Sequence, residues 1–238
     1  MRNQHMPVGR RSLLVSGPAH SGKTTALVTF GRHYELRTFN RWLDDREEDR
    51  VPTLYVSLRP AATARTVLSD LARFLGLPTR SRPTLADLSD QVCDSLLRLG
   101  TDAVLIDDIH RLQPSTRGVQ RAVDVLRYLA QQLPCVFVYA TADEKHPFLT
   151  ADGLGRPPLL RAAPLPYGHD WEQAIDALER MLRLHRHTPG LLAAQSRVLH
   201  RRTRGRVEAL AHLVRSAAIQ AVLDGSERIT QQTLDAIG

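Results

Sequence analysis

The segment SGPAHSGKTT, residues 16–25, constrains the fold more tightly than any other stretch of the chain. It follows an apolar run, SLLVS at 12–16, and leads into KTTALVTFGRHY, where Ala26, Leu27, Phe30 and Tyr34 recur at helical spacing. A strand that turns through glycines into a helix gathers backbone N–H groups at the positive end of the helix dipole, which suits an anion. Gly17, Pro18, Ala19, His20, Ser21, Gly22, Lys23 and Thr24 match G-x-x-x-x-G-K-[ST] at every fixed position. The glycines let amides face phosphate oxygens, the Lys23 ammonium reaches the β and γ phosphates, and the Thr24 hydroxyl ligates Mg²⁺. Residues Gly17 to Thr25 are therefore the expected nucleotide loop, with ATP and Mg²⁺ as cofactors.

The choice of cation sharpens that reading. The chain carries 32 basic residues, yet its only lysines are Lys23 and Lys145. A compact ammonium on a flexible stem fits among phosphate oxygens where a planar guanidinium does not. His20, at a variable position of the loop, carries no separate role.

Beyond the loop, apolar runs alternate with helical patterns. TLYVSL at 53–58, AVLIDD at 103–108 and CVFVYAT at 135–141 read as strands, and APLPY at 163–167 as a fifth, confined by its prolines to an edge or a strand end. Between them, residues 63–76 place Val67, Leu68, Leu71, Phe74 and Leu75 on one helical face and stop at Gly76. Residues 84–100 and 116–133 repeat the pattern, and the charged stretch 41–50 reads as a solvated connection. Strands apolar on both faces, alternating with helices, predict a five-stranded parallel sheet covered by helices on both faces. After about residue 168 only helical patterns remain, at 170–186, 191–202, 205–224 and 230–237. The expected organisation is an α/β P-loop NTPase domain over 1–168 and a small all-helical lid over 169–238.

A second motif lies in AVLIDDIHRL. An apolar strand ending in Asp107 brings one carboxylate beside the phosphate loop to hold Mg²⁺ through water, while Asp108 is positioned to polarise an attacking water. Thr141 ends the strand expected between the two motifs and is a candidate to touch the γ-phosphate or the water. Arg156 and Arg161 flank PPLL, where ring-forming ATPases place an arginine that completes a neighbour's site, and Arg206 opens a lid helix from which it can reach the γ-phosphate.

Charge points to a polyanion as partner. The formal net charge is +7, and between Arg180 and Arg215 nine arginines and four histidines face a single acid, Glu208. Such a field attracts phosphate backbones without reading sequence, and the lack of accompanying aromatics favours duplex over single strands. No apolar run approaches the length of a membrane span and the N-terminus has no secretion signal, so a cytoplasmic protein without membrane contact is expected. Cys93 and Cys135, without histidines at ligand spacing, read as core residues.

Taken together, the N-terminal phosphate loop, LIDDIHRL, LRYLAQQLPCVFVYATAD and the terminal RVEALAHLVRSAAIQAVLDGSERITQQTLDAI resemble the TniB family of transposition ATPases. These are AAA+ proteins related to the target-selecting ATPases of Mu-like and CRISPR-associated transposons. The resemblance runs from about residue 12 to the end of the sequence. It implies an AAA+ fold and an ATP-dependent homo-oligomer, a ring or helical filament on duplex DNA, that recruits a transposase and disassembles upon hydrolysis. It assigns Lys23 and Thr24 to ATP and Mg²⁺, Asp107 to the metal, Asp108 to water activation, Thr141 to the first sensor and Arg206 to the second. The family usually has glutamate where Asp108 stands, and its members carry a longer segment before the first strand. A replication initiator or helicase loader shares the same core and lid, and a nucleotide-dependent signalling switch that leaves nucleic acid alone is a third reading.

Overall fold

The computed structural model describes residues 12–42, 50–78, 83–113, 115–143, 146–149 and 157–237. Contacts between residues divide the chain into two compact units. One comprises the chain to Gly17 and Lys23–Arg161, the other Pro18–Gly22 and Ala162–Gly238. The division falls at 161/162, before the boundary expected after residue 168.

In the first unit, strands β1 (Ser12–Ser16), β2 (Thr53–Ser57), β3 (Ala103–Asp107), β4 (Val136–Thr141) and β5 (Leu159–Arg161) form one sheet in the order β2-β3-β4-β1-β5. Every pairing is parallel. The fifth strand is thus Leu159–Arg161 and not 163–167. Pro164 and Pro166 remove the amides that a ladder needs, whereas Leu159, Leu160 and Arg161 keep theirs.

Strand periodicity sends alternate residues to opposite faces of the sheet. Leu54, Val56, Val104, Ile106, Phe137 and Tyr139 join the larger core with residues of helices α2 (Ala64–Phe74), α3 (Leu85–Arg98) and α4 (Thr116–Gln132). Val15, Ala103, Leu105, Val138 and Ala140 cluster on the other face with Leu27 of helix α1 (Lys23–Trp42). Helix α1 buries Leu27 and Gly31, and a Cβ at Gly31 would stand 3.2 Å from the Leu105 side chain. Because Gly31 sets the line of closest approach, Ala26 and Phe30 turn outward, and Phe30 is 49% exposed. Of the four residues at helical spacing, Ala26, Leu27, Phe30 and Tyr34, only Leu27 is buried. The helix also runs to Trp42, into the stretch read as a connection.

Caps start the next two helices. Thr63 accepts from the Thr66 amide ahead of α2, and Thr84 pairs reciprocally with Asp87 ahead of α3. Past α2, Gly76 adopts φ +66°, as a left-handed stop requires. Phe74, expected on the buried face of α2, is instead exposed. Cys93 and Cys135 are buried free thiols, and burial pushes them up to about 11 and about 12, so both stay protonated packing groups.

The second unit contains α5 (His169–Met181), α6 (Leu191–Ala194), α7 (Ser196–Thr203), α8 (Val207–Leu223) and α9 (Gln231–Ala236). Its core gathers around Trp171, with Ile175, Leu192, Leu199, Leu210, Val214, Ala217, Ile229 and Leu234. The Trp171 indole N–H donates to the Ser196 carbonyl at 3.2 Å, and its ring meets His200 edge-on. Residues 182–186, expected to continue the first of these helices, lie beyond its end at Met181. At Gly205 (φ +71°) a Cβ would come within 2.2 Å of the Leu165 carbonyl oxygen, so only glycine fits the backbone crossing there.

Candidate nucleotide-binding site

Helix α1 begins at Lys23, directly after the glycine loop. Gly22 takes φ +85° and His20 φ +62°, so the loop turns through left-handed conformations before the helix starts. The Gly17 amide donates to the carbonyl of Thr141, which ties the loop's first residue to the end of β4. Lys23 is 7% exposed, and its ammonium donates to the Gly17 carbonyl at 2.9 Å. A buried cation so close to a loop of amides favours an anion beside it.

Across the sheet, the period-2 alternation that sends Ala103 and Leu105 toward α1 sends Asp107 there too. Asp107 is 1% exposed, and its Oδ2 accepts from the Thr24 hydroxyl at 2.6 Å. The two motifs, 83 residues apart in sequence, therefore meet directly. Strand β4 lies between β1 and β3, as the sequence reading expected for the strand of Thr141.

Asp107 has two further partners. Its Oδ1 accepts from the Asp108 amide at 2.8 Å, and its Oδ2 accepts from the Tyr55 phenol at 3.1 Å. Burial first, then the Asp107 charge and hydrogen bond, push the Tyr55 phenol far above its ordinary value, so it remains a donor. Asp108 is left-handed, with φ 57° and ψ 39°. Its Oδ2 accepts from Ser57 Oγ at 3.1 Å and pairs with Arg111 Nη1 at 3.1 Å.

Strand β2 thus presents a row of hydroxyls toward carboxylates: Thr53 to Glu35, Tyr55 to Asp107 and Ser57 to Asp108. Sequence reasoning passed over Tyr55 and Ser57. The signal was present in TLYVS, where hydroxyl residues occupy every other position and so share one face.

The remaining candidates are placed as follows. Thr141 is fully buried, opposite Ser16 in the β1–β4 register, and its hydroxyl closes a local turn with the backbone of Asp143. Arg161 ends β5 opposite Ser16 and is exposed. Arg156 lies outside the described residues. Within the second unit, His20 Nδ1 is 2.9 Å from Glu208 Oε1, and both line a cavity of about 510 Å³ together with Arg202, Arg206 and His212. Thr25 is an exposed residue of the first turn of α1.

The donor set fits ATP with Mg²⁺. One hydroxyl and one carboxylate are too few to complete an octahedral shell, and phosphate oxygens and water supply the rest in sites of this kind. Among the described residues, no helix is long and apolar enough to cross a membrane.

A search of curated proteins finds no relative. Among solved structures, the Aeropyrum pernix ORC1 protein in complex with DNA aligns at TM-score 0.66 and 20% identity, over 95% of this chain and 58% of that one. The Aeropyrum pernix ORC2 protein, as ADPNP–ADP complexes, aligns at 0.74 and 16%, over 95% and 60%. Domain III of the Thermotoga maritima replication initiation protein DnaA aligns at 0.59 and 14%, over 96% and 83%. The chain therefore spans about three fifths of the length of the two archaeal chains. The fold is that of an AAA+ P-loop NTPase, and a family model described as an AAA domain matches residues 5–141, more than half of the sequence; the chain belongs to the AAA domain family.

Proposed function

We propose that the chain binds ATP with Mg²⁺, hydrolyses it, and in the ATP state assembles as a homo-oligomer on duplex DNA in the cytoplasm, in the manner of a replication initiator. The observation that carries the nucleotide reading is the 2.6 Å hydrogen bond between Thr24 and Asp107, beside the buried ammonium of Lys23. The DNA reading is supported by the lid arginines, all but Arg202 of the nine between Arg180 and Arg215 being exposed, and by the likeness to the Aeropyrum pernix ORC1 protein, described in complex with DNA.

In this reading Lys23 would hold the β and γ phosphates, the Thr24 oxygen would ligate Mg²⁺ while its proton stays on Asp107, and Asp107 would hold the metal through water. A Mg²⁺ held there would supply positive charge against the phosphoryl oxygens. Asp108 accepts a proton from the attacking water, once its carboxylate is released from Arg111 and Ser57. Thr141, Arg161 and Arg206 contact the phosphates or the water, Arg161 from a neighbouring copy; Arg156 is the other candidate for that position.

The sequence LIDDIHRL and the helical C-terminal segment favour a second reading, a TniB-type regulator that delivers a transposase to DNA. Both share nucleotide-dependent assembly on duplex. The test is binding of random-sequence duplex by the full chain with a non-hydrolysable ATP analogue and Mg²⁺, read by filter retention across a salt series and by electron microscopy. Uptake that requires nucleotide and falls steeply with salt is expected. Nucleotide binding without duplex uptake at low salt would leave only a signalling switch. Capture of a purified integrase-type transposase by the DNA-bound assembly would select the second reading over the first.

A further inference from the structure

We propose that Tyr55 is a positioning residue for the metal-binding carboxylate: its phenol fixes the orientation of Asp107 from the sheet side, opposite the Thr24 hydroxyl of helix α1. The inference rests on the nucleotide reading above and concerns a residue outside both sequence motifs.

Three donors converge on Asp107. Oδ1 takes the Asp108 amide, and Oδ2 takes both the Thr24 hydroxyl at 2.6 Å and the Tyr55 phenol at 3.1 Å. A hydroxyl has one proton to donate and lone pairs besides, so the Thr24 oxygen can ligate a cation while its O–H stays on Oδ2. Oδ2 therefore keeps a donor on each side, Thr24 from the helix and Tyr55 from the strand. A buried carboxylate held on that oxygen from one side only is freer to rotate about its terminal torsion, which is broad and roughly two-fold.

The placement of Tyr55 suits this task. Strand β2 pairs in register with β3, Tyr55 opposite Leu105 and Ser57 opposite Asp107, so Tyr55 and Asp107 are diagonal neighbours on the α1 face. That separation is within reach of an aromatic side chain and beyond that of a serine or threonine. The phenol enters from the sheet, on the strand at one edge, while Thr24 enters from helix α1. Its approach therefore does not depend on the conformation of the phosphate loop. The same strand holds Asp108 through Ser57, so β2 fixes both acids of the motif from one side.

The test is calorimetric binding of a non-hydrolysable ATP analogue to the full chain, in EDTA and across a Mg²⁺ series, for wild type, Tyr55→Phe, Asp107→Asn and the double variant. Tyr55→Phe should leave metal-free binding unchanged and raise the Mg²⁺ concentration at half-saturation about tenfold, as loss of a partner behind a metal ligand does. In the Asp107→Asn background the same substitution should add nothing, because Tyr55 acts through that carboxylate. An unchanged Mg²⁺ midpoint in Tyr55→Phe overturns the assignment, as does an equal loss with and without metal, or a full additive effect beside Asp107→Asn. A wild type that binds no nucleotide with Mg²⁺ overturns the nucleotide reading itself, and the role of Tyr55 with it.

Discussion

Arg111 Nη1 lies 3.1 Å from Asp108 Oδ2, so the carboxylate assigned to the attacking water is held by an ion pair within its own turn. The same Nη1 donates to the Leu58 carbonyl at 3.2 Å, which anchors the arginine to the end of β2. Asp108→Asn keeps the shape of this cluster and removes the basic oxygen. Nucleotide affinity should stay within about twofold of wild type while hydrolysis falls by about 10²-fold or more, the range for loss of a positioned general base. Phosphate release under single turnover, beside equilibrium binding, separates the two effects.

Lys23→Arg tests the geometry of the loop more sharply than removal of the charge. The ammonium sits 7% exposed against the Gly17 carbonyl, a space that the wider guanidinium does not fit. Lys23→Arg and Lys23→Ala should both lose ATP affinity by about 10²-fold, the arginine variant despite its retained charge. Titration with a fluorescent ATP analogue reads this directly, and near-normal affinity in Lys23→Arg would mean that charge alone suffices.

Gly205→Ala should destabilise the helical unit. Its φ of +71° and the 2.2 Å approach of a Cβ to the Leu165 oxygen combine left-handed strain with a backbone clash. The sum is about 2–4 kcal/mol. Hydrogen exchange should report the loss in α7 and α8, and protection of the β-sheet amides should remain.

For DNA, the exposed Arg201 and Arg204 at the end of α7 are test positions. Each alanine substitution should weaken random duplex uniformly across sequences and lower the slope of log affinity against log salt by about 1. Salt titrations of both variants check it.

Most of the site could be read from residues because its parts obey simple periods. The alternation in AVLID puts Asp107 on the face that α1 covers, and the fixed spacing of the loop starts that helix at Lys23. What escaped depended on partners that no local pattern encodes. Phe30 fits a helical stripe, yet Gly31 and its contact with Leu105 decide which stripe is packed. The last strand lies at Leu159–Arg161 because amide availability outweighs the apolar character of APLPY. The alternation in TLYVS puts the Tyr55 hydroxyl on one face with those of Thr53 and Ser57, but the carboxylate that it serves comes from the neighbouring β3.

The left-handed backbone of Asp108 bears on any attempt to replace it with a longer acid. Short acidic side chains tolerate φ 57° better than longer ones, and this turn is also what aims the Asp108 amide at Asp107. Asp108→Glu should therefore lower folding stability by up to about 1 kcal/mol, visible in urea denaturation, while extending the acid's reach. Under the proposed hydrolysis, reach toward the water and a sturdy turn are opposing demands on this one residue, and the aspartate sits on the side of the turn.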